Sequence, residues 1–425
     1  MNYLLFTLYV ILLCWMLLRI PFIKNAGISP KLILGLFLIK VLAGIAIGWI
    51  SIHMYGPGND YWDLNDYARE EYQLLITNPG KYLLNIFNSN YTEGYTGFFN
   101  SDHSYWNDLE SNIIIKLVSV FNILSRGDYY INSLFFNFLV FFGHVILYRL
   151  FIHIYPQRKI GVILGCFLLP STLYFASGIH KDGMVFLILA VLIYSVYQSL
   201  LKNRFSIKRM LLIVISLAGL FFLRSFIFLA LVPALFAWVF SVRAKWHTAI
   251  SFMAVYLFCA LLFFNSSSIN SKIRPLDIIT NKQAAYKNLP IAATQMALST
   301  LQPNFKSFAV NAPEAFNHSL LRPYLWEEPV RSLLPLSIEL FFYHILFLLF
   351  IFFREKDSNR NHQPYLFFAI FFTFTVFLVI GYIVPNLGSL VRYRSLYLPL
   401  VITPLLGSVN WKKIFRHLNI TKYNI

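Results

Sequence analysis

The densest group of ionisable residues runs from Gly56 to Glu71 and reads Gly-Pro-Gly-Asn-Asp60-Tyr-Trp-Asp63-Leu-Asn-Asp66-Tyr-Ala-Arg-Glu-Glu. Asp60, Asp63 and Asp66 recur every third residue, so on a helix they share a face. Carboxylates held that close repel one another, which is costly unless a proton transfer or a cation uses them. Two tasks suit the array. One of the three can act as general base toward a sugar hydroxyl, or Asp60 and Asp63 can offer oxygen ligands to a divalent cation of the Mg²⁺ or Mn²⁺ type. A solvated acidic loop explains the same pattern equally well.

A second group is Ser177-Gly-Ile-His180-Lys181-Asp182-Gly183, three ionisable side chains in a turn with almost no polar spacer on either side. A lysine that snorkels beside Asp182 is the plain reading; a cation waiting for an anion is the functional one. The third is Asn386-Leu-Gly-Ser-Leu-Val-Arg392-Tyr-Arg394. With Arg224, isolated in an apolar setting, and Lys181, these arginines suggest a site for a lipid-linked anionic group, because the planar guanidinium fork matches phosphate oxygens.

The rest of the chain must position these groups, and it is built for a bilayer. Of 425 residues 58% are hydrophobic and 12% charged, against about 45–50% and roughly 25% in soluble domains. The apolar residues come in blocks of helix length at 3–20, 32–52, 129–153, 160–177, 183–200, 209–223, 225–241, 248–265, 333–353, 364–384 and 395–409. We therefore expect an all-α polytopic membrane protein of about eleven transmembrane helices, with 1–425 as one integral membrane domain. Outer-membrane barrels, with short alternating segments, are excluded. Two long polar loops, 53–128 and 266–332, interrupt the blocks, and Asn112–Ser125 within the first reads as an interfacial amphipathic helix. Residues 209–241 are too long for one crossing, so Arg224 is expected at the turn of a hairpin.

One set of loops carries Arg19, Lys24, Lys31, Lys202, Arg204, Lys208, Arg209, Lys412 and Lys413 among others, against only Glu355 and Asp357; the acids from Asp60 to Glu328 fall on the opposite side. The positive-inside rule then places the N-terminus and both long loops outside and the C-terminus in the cytoplasm. The net charge of +17 reflects those loops and gives no reason to invoke nucleic acid. Cys14, Cys166 and Cys259 all lie in apolar blocks and form neither a disulfide framework nor a metal motif. Inside the blocks, Lys40 and Glu339 are expected to pair with each other.

This arrangement resembles the C-type glycosyltransferase (GT-C) superfamily of integral membrane enzymes, on the long first outer loop that opens with acids and on its pattern Asp63-Leu-Asn-Asp66-Tyr67-Ala68. An extra helix before that loop departs from the family. The resemblance implies a polyprenyl-phosphate- or pyrophosphate-linked sugar donor and a catalytic aspartate at Asp60, Asp63 or Asp66. The stretches 177–183 and 386–394 are also similar to multi-spanning proteins of bacterial surface-polysaccharide clusters, including O-antigen-type polymerases. The expected protein is thus a glycosyltransferase of the bacterial cytoplasmic membrane serving cell-envelope polysaccharide synthesis, with a glycan or lipid-linked acceptor. Lys181, His180, Arg224, Arg392, Arg394 and Asn386 would bind the donor. A polymerase moving whole repeat units, or a flippase of lipid-linked glycan, is the alternative. No certain cofactor is implied beyond the possible divalent cation, and the sequence contains neither a Walker-type nor a dinucleotide-binding glycine loop.

Overall fold

The computed structural model describes residues 2–87, 104–244, 246–269, 274–289, 291–327, 333–355 and 363–417. Parts of both long polar loops, and the loop cations Lys245, Lys356, Arg360 and Lys422, fall outside these ranges. Among the described residues the chain is helical, with isolated β-bridges and no strands. Contacts divide it into two compact units, Met1–Arg149 with Thr172–Phe228, and Leu150–Ser171 with Leu229–Ile425.

The first unit opens with α1 (Tyr3–Arg19), α2 (Pro21–Lys24) and α3 (Pro30–Tyr55). Gly56 and Gly58, both at positive φ, turn the chain out of α3, and Asn59 caps the next helix by accepting the amides of Tyr61 and Trp62. That helix, α4 (Asp60–Thr77), leads to α5 (Pro79–Leu84), α6 (Tyr105–Ser125) and α7 (Tyr129–Ile154). The stretch 112–125, expected to be helical, is the later part of α6, which begins at Tyr105. A buried amide chain joins α4, α6 and α7: Asn132 donates to Asn65 (2.8 Å) and Asn122 (2.6 Å), and Asn122 donates to the Ala68 carbonyl (2.9 Å). Small residues let α3 approach α7, since a Cβ on Gly44 or Gly48 would collide with Asn137 or Tyr129, the close packing that membrane helices favour.

The chain continues through α8 (Lys159–Phe167), α9 (Pro170–Phe175), α10 (Lys181–Leu201), α11 (Ile207–Leu223), α12 (Ser225–Arg243) and α13 (Thr248–Ile269). The single crossing expected at 160–177 is instead broken into α8 and α9, because Pro170 cannot continue the hydrogen-bond ladder of α8. Arg224 stands between α11 and α12 in extended backbone (φ −157°, ψ 83°), so 207–243 is two helices as expected.

The second unit adds α14 (Pro275–Asn288), α15 (Phe305–Phe316), α16 (Leu334–Phe353), α17 (Gln363–Ile383), α18 (Leu387–Ser395), α19 (Leu398–Ser408) and α20 (Trp411–His417). Here α8 packs on α19, where Gly165 meets Thr403 and Gly407 meets Tyr155. The end of α17 is roofed by α14 and α15: Gln283 donates to the Tyr382 carbonyl (2.7 Å) and accepts from Leu301 N–H (2.9 Å), while Tyr382 donates to the Phe308 carbonyl (2.5 Å).

Among the described residues, seven helices are long and apolar enough to cross a membrane, namely α3, α7, α10, α12, α13, α16 and α17. The other four expected crossings are shorter or broken. Helices α1 and α11 have 17 residues each and α19 has 11, and the fourth is the α8–α9 pair. Large apolar side chains project outward from α1 (Leu4, 82% exposed), α13 (Met253, 65%) and α16 (Phe352, 71%), a surface suited to lipid and not to water.

Candidate functional site

Within the first unit, the acidic helix and the Ser177–Gly183 turn meet. Tyr61, on the buried face of α4, packs against the turn: a Cβ on Gly178 would lie 2.5 Å from the Tyr61 ring. The same ring stands edge-on to His180 at 5.8 Å. His180 occupies the N-cap of α10, with its Nδ1 3.0 Å from Asp182 Oδ2 and 3.4 Å from the Asp182 N–H. Nδ1 accepts the Asp182 N–H, which makes the imidazole the cap of α10. Asp182 is 0% exposed and its other oxygen ion-pairs with Arg224, which is 4% exposed. Lys181 ion-pairs with Glu110 of α6. Lys181, His180 and Arg224 are thus gathered in one polar cluster that also holds Asp182 and Glu110. Arg224 is committed on at least one edge to Asp182, a use its isolation in the sequence does not announce.

The three aspartates sit on α4, but its inward face is Tyr61, Asn65 and Ala68. Asp60 and Asp66 are exposed and Asp63 is half-buried, and Asp66 contacts Arg69 at 3.7 Å. Burial, and then the neighbouring charges of Asp60 and Asp66, push the Asp63 carboxyl above its ordinary range. A raised carboxyl is a stronger proton acceptor than an ordinary aspartate. Among the described residues no three His, Cys, Asp or Glu side chains group closely enough to hold a metal ion. Asp60 and Asp63 alone lack the ligand number of a dedicated divalent-cation site.

The third motif belongs to the second unit. Asn386 caps α18, accepting the Ser389 amide (3.1 Å) and the Thr294 hydroxyl (2.9 Å), so its amide is employed in the local fold. Arg392 is half-buried beside the Tyr393 ring. Arg394, 3% exposed, turns inward, and its Nη1 donates to the carbonyls of Ser319 (2.7 Å) and Arg322 (2.8 Å). Burial lowers its guanidinium to about 10, opposed by Glu339, and at neutral pH it stays charged.

Lys40 and Glu339 do not form the expected pair. Each finds partners in its own unit, because a buried charge is satisfied most cheaply by the nearest fixed dipoles. Lys40 donates to the Ala176 carbonyl (3.2 Å) and Ser177 Oγ (3.1 Å). Glu339 accepts from the Ser171 N–H (3.0 Å), Ser171 Oγ (3.0 Å) and Tyr343, and so caps the first turn of α9.

Of the loop aromatics, Trp62 stacks on Tyr129 (4.2 Å) and Trp106 on Phe222 (5.4 Å). Trp326 instead is 79% exposed and stacks flat on Tyr324 (5.2 Å). A polar cleft of about 400 Å³ lies along α14, lined by Asp277, Asn281, Lys287 and Thr300 among others; none of the residues expected from sequence lines it. Sequence reasoning also passed over Glu110, His318 and Arg322. His318 and Arg322 lie in a long polar loop, where a histidine and an arginine do not stand out by type or spacing. No family model, curated protein or solved structure matches the chain.

Proposed function

We propose that this chain is a polytopic glycosyltransferase of the bacterial cytoplasmic membrane. On this reading it crosses the bilayer about eleven times, counting the short and broken helices, with the N-terminus outside and the C-terminus in the cytoplasm. It moves a sugar from a polyprenyl-phosphate- or pyrophosphate-linked donor to a glycan or lipid-linked acceptor at the outer face. The observation that carries the proposal is the docking of α4 on the 177–183 turn, which joins the acidic helix to a buried cluster of Lys181, His180, Asp182 and Arg224. It brings a helix rich in proton acceptors to cations at the end of an apolar helix.

In the proposed step Asp63 takes the proton of the acceptor hydroxyl as its oxygen attacks the anomeric carbon. The bond from that carbon to the phosphate oxygen breaks with inversion, and the phosphate departs with the bonding electrons. Lys181 is the cation nearest to solvent in the cluster (28% exposed) and meets the growing charge, while Asp182 and Arg224 hold the turn in place. Such a preorganised cation stabilises charge that develops in the transition state.

Transport of a lipid-linked glycan is favoured by one observation, the broken helix α8–α9 whose N-terminal turn is capped by Glu339, since transporters commonly use discontinuous helices. The two readings part in one experiment, in membranes supplied with lipid-linked glycan. The enzyme reading expects a new glycosidic bond in wild type and a loss of about 10²–10⁴ in rate for Asp63→Asn or the matching change at Asp60 or Asp66. Full product from all three single variants, or movement of glycan with no bond formed by wild type, defeats it. Moving one sugar or a whole repeat unit is read from the product's length.

A further inference from the structure

Three buried nitrogens of the second unit point to a ligand. Arg394 uses Nη1 on the Ser319 and Arg322 carbonyls, and its buried Nε meets no partner among the described residues. Arg322 ion-pairs with Glu327 and rests Nη1 on Met296 Sδ (3.3 Å); its Nε is likewise buried without a partner among the described residues. His318, 5% exposed, has a buried Nδ1 in the same condition. These side chains belong to one small region. The Arg394 guanidinium closes the end of the π-helical stretch Asn317–Leu321, which carries His318 and runs into Arg322. The positive charge of Arg322 also reaches His318 and, after burial, holds its protonation down. Short π-helical turns recur at functional sites.

Buried polar groups in native proteins are paired in the great majority of cases. A guanidinium N–H can only donate, so the missing partner of Arg322 and Arg394 is an acceptor. Among the described residues, the nearby carboxylates are engaged. Glu327 takes Arg322 and the Tyr324 N–H (3.1 Å), Glu314 takes the Ser299 N–H (3.2 Å), and Glu339 is held by Ser171 and Tyr343. None of them supplies the Nε groups. We infer that His318, Arg322 and Arg394 form a binding site for a phosphate-class oxyanion. An oxyanion with several acceptor oxygens bridges donors on two chain segments, a role that no carboxylate fills among the described residues. The inference rests on the lipid-phosphate reading above only for its choice of lipid probe.

The test uses the full chain purified in detergent. Thermal melting is followed in inorganic phosphate and pyrophosphate, with acetate and chloride at matched ionic strength as controls. Flotation is measured with phosphatidylcholine vesicles containing polyprenyl phosphate or, as control, a fatty acid. Stabilisation by free phosphate or pyrophosphate, or selective capture by polyprenyl-phosphate vesicles, supports the site and tells the headgroup alone from the lipid. Affinity should fall about tenfold or more in His318→Gln and in Arg322→Lys, the loss of one charge-assisted hydrogen bond. Arg394→Lys, which also disturbs the carbonyl contacts, is the harsher variant. Response to phosphate no greater than to acetate and chloride, with no selective vesicle capture, overturns the inference, as does equal affinity in His318→Gln, Arg322→Lys and wild type. Phosphate binding that persists in a protein with no transfer activity defeats the glycosyltransferase reading and leaves this site standing.

Discussion

Asp182 and Arg224 are a buried ion pair, at 0% and 4% exposure, and what matters is the cost of breaking them. Asp182→Asn or Arg224→Met alone strands a charge without its partner and should cost about 3–5 kcal/mol, whereas removing both charges in Asp182→Leu/Arg224→Met should recover most of it. Melting temperatures in detergent for the two singles and the double test this; a double variant no better than the worse single would show the pair to be more than mutual neutralisation. Asp63 behaves in the opposite sense. Its carboxyl is raised by burial and then by Asp60 and Asp66, so the folded state holds the proton more tightly than the unfolded chain. The folded state is penalised above that raised value, and the penalty is relieved as pH falls through it, in a window starting near the ordinary aspartate value of about 3.9 and extending upward. Asp63→Asn should therefore be at least as stable as wild type at neutral pH, with a flatter stability profile across that window, and melting curves at stepped pH give the answer. The sequence disclosed the 177–183 cluster because three ionisable groups in a turn without a spacer have no simple structural use. It did not disclose that Asp182 is the hub, because that depends on Arg224 arriving from another helix.

At the scale of elements, α4 docks through Tyr61 on a glycine. Gly178→Ala would press a methyl into that ring and onto Ile47, an overpacking of about 1–3 kcal/mol. It should loosen α4 and expose it to protease, and Tyr61→Leu in the same chain should restore part of the loss; protease protection equal to wild type in Gly178→Ala would show the docking to be slack. The break at Arg224 was readable from length and from the cost of an arginine in the bilayer, because both are local quantities. The break between α8 and α9 was not, since the block is apolar throughout and Pro170 also suits the first turn of a helix. What stabilises the break is Glu339, remote in sequence, where an apolar block offers no hint of it.

At the scale of the whole molecule, the orientation expected from the charge distribution is directly testable. In a chain with Cys14, Cys166 and Cys259 replaced, Asn78→Cys, exposed at the end of α4, should react with an impermeant thiol reagent from outside intact cells. Asn203→Cys, exposed between α10 and α11, should react only after the membrane is opened. Labelling of both from one side would remove the basis for an outer site. Counting apolar blocks gave eleven crossings because composition records how much lipid-compatible chain exists. It is blind to whether that chain runs straight, and α1, α8–α9, α11 and α19 are where length and straightness part company.

The cap that Glu339 places on Ser171 also imposes an order in time. The two residues are 168 apart, so at about 5–20 residues per second the ribosome needs roughly 10–30 s after Ser171 before the carboxylate exists. Arg224 follows Asp182 by only 42 residues, a delay of roughly 2–8 s on the same clock. Every polar lock described in the first unit has both halves synthesised by residue 224, whereas the leading turn of α9 must be sheltered by something else until α16 emerges. The nascent chain therefore has a built-in interval in which the polar locks of its first unit can close while α9 still waits for its cap.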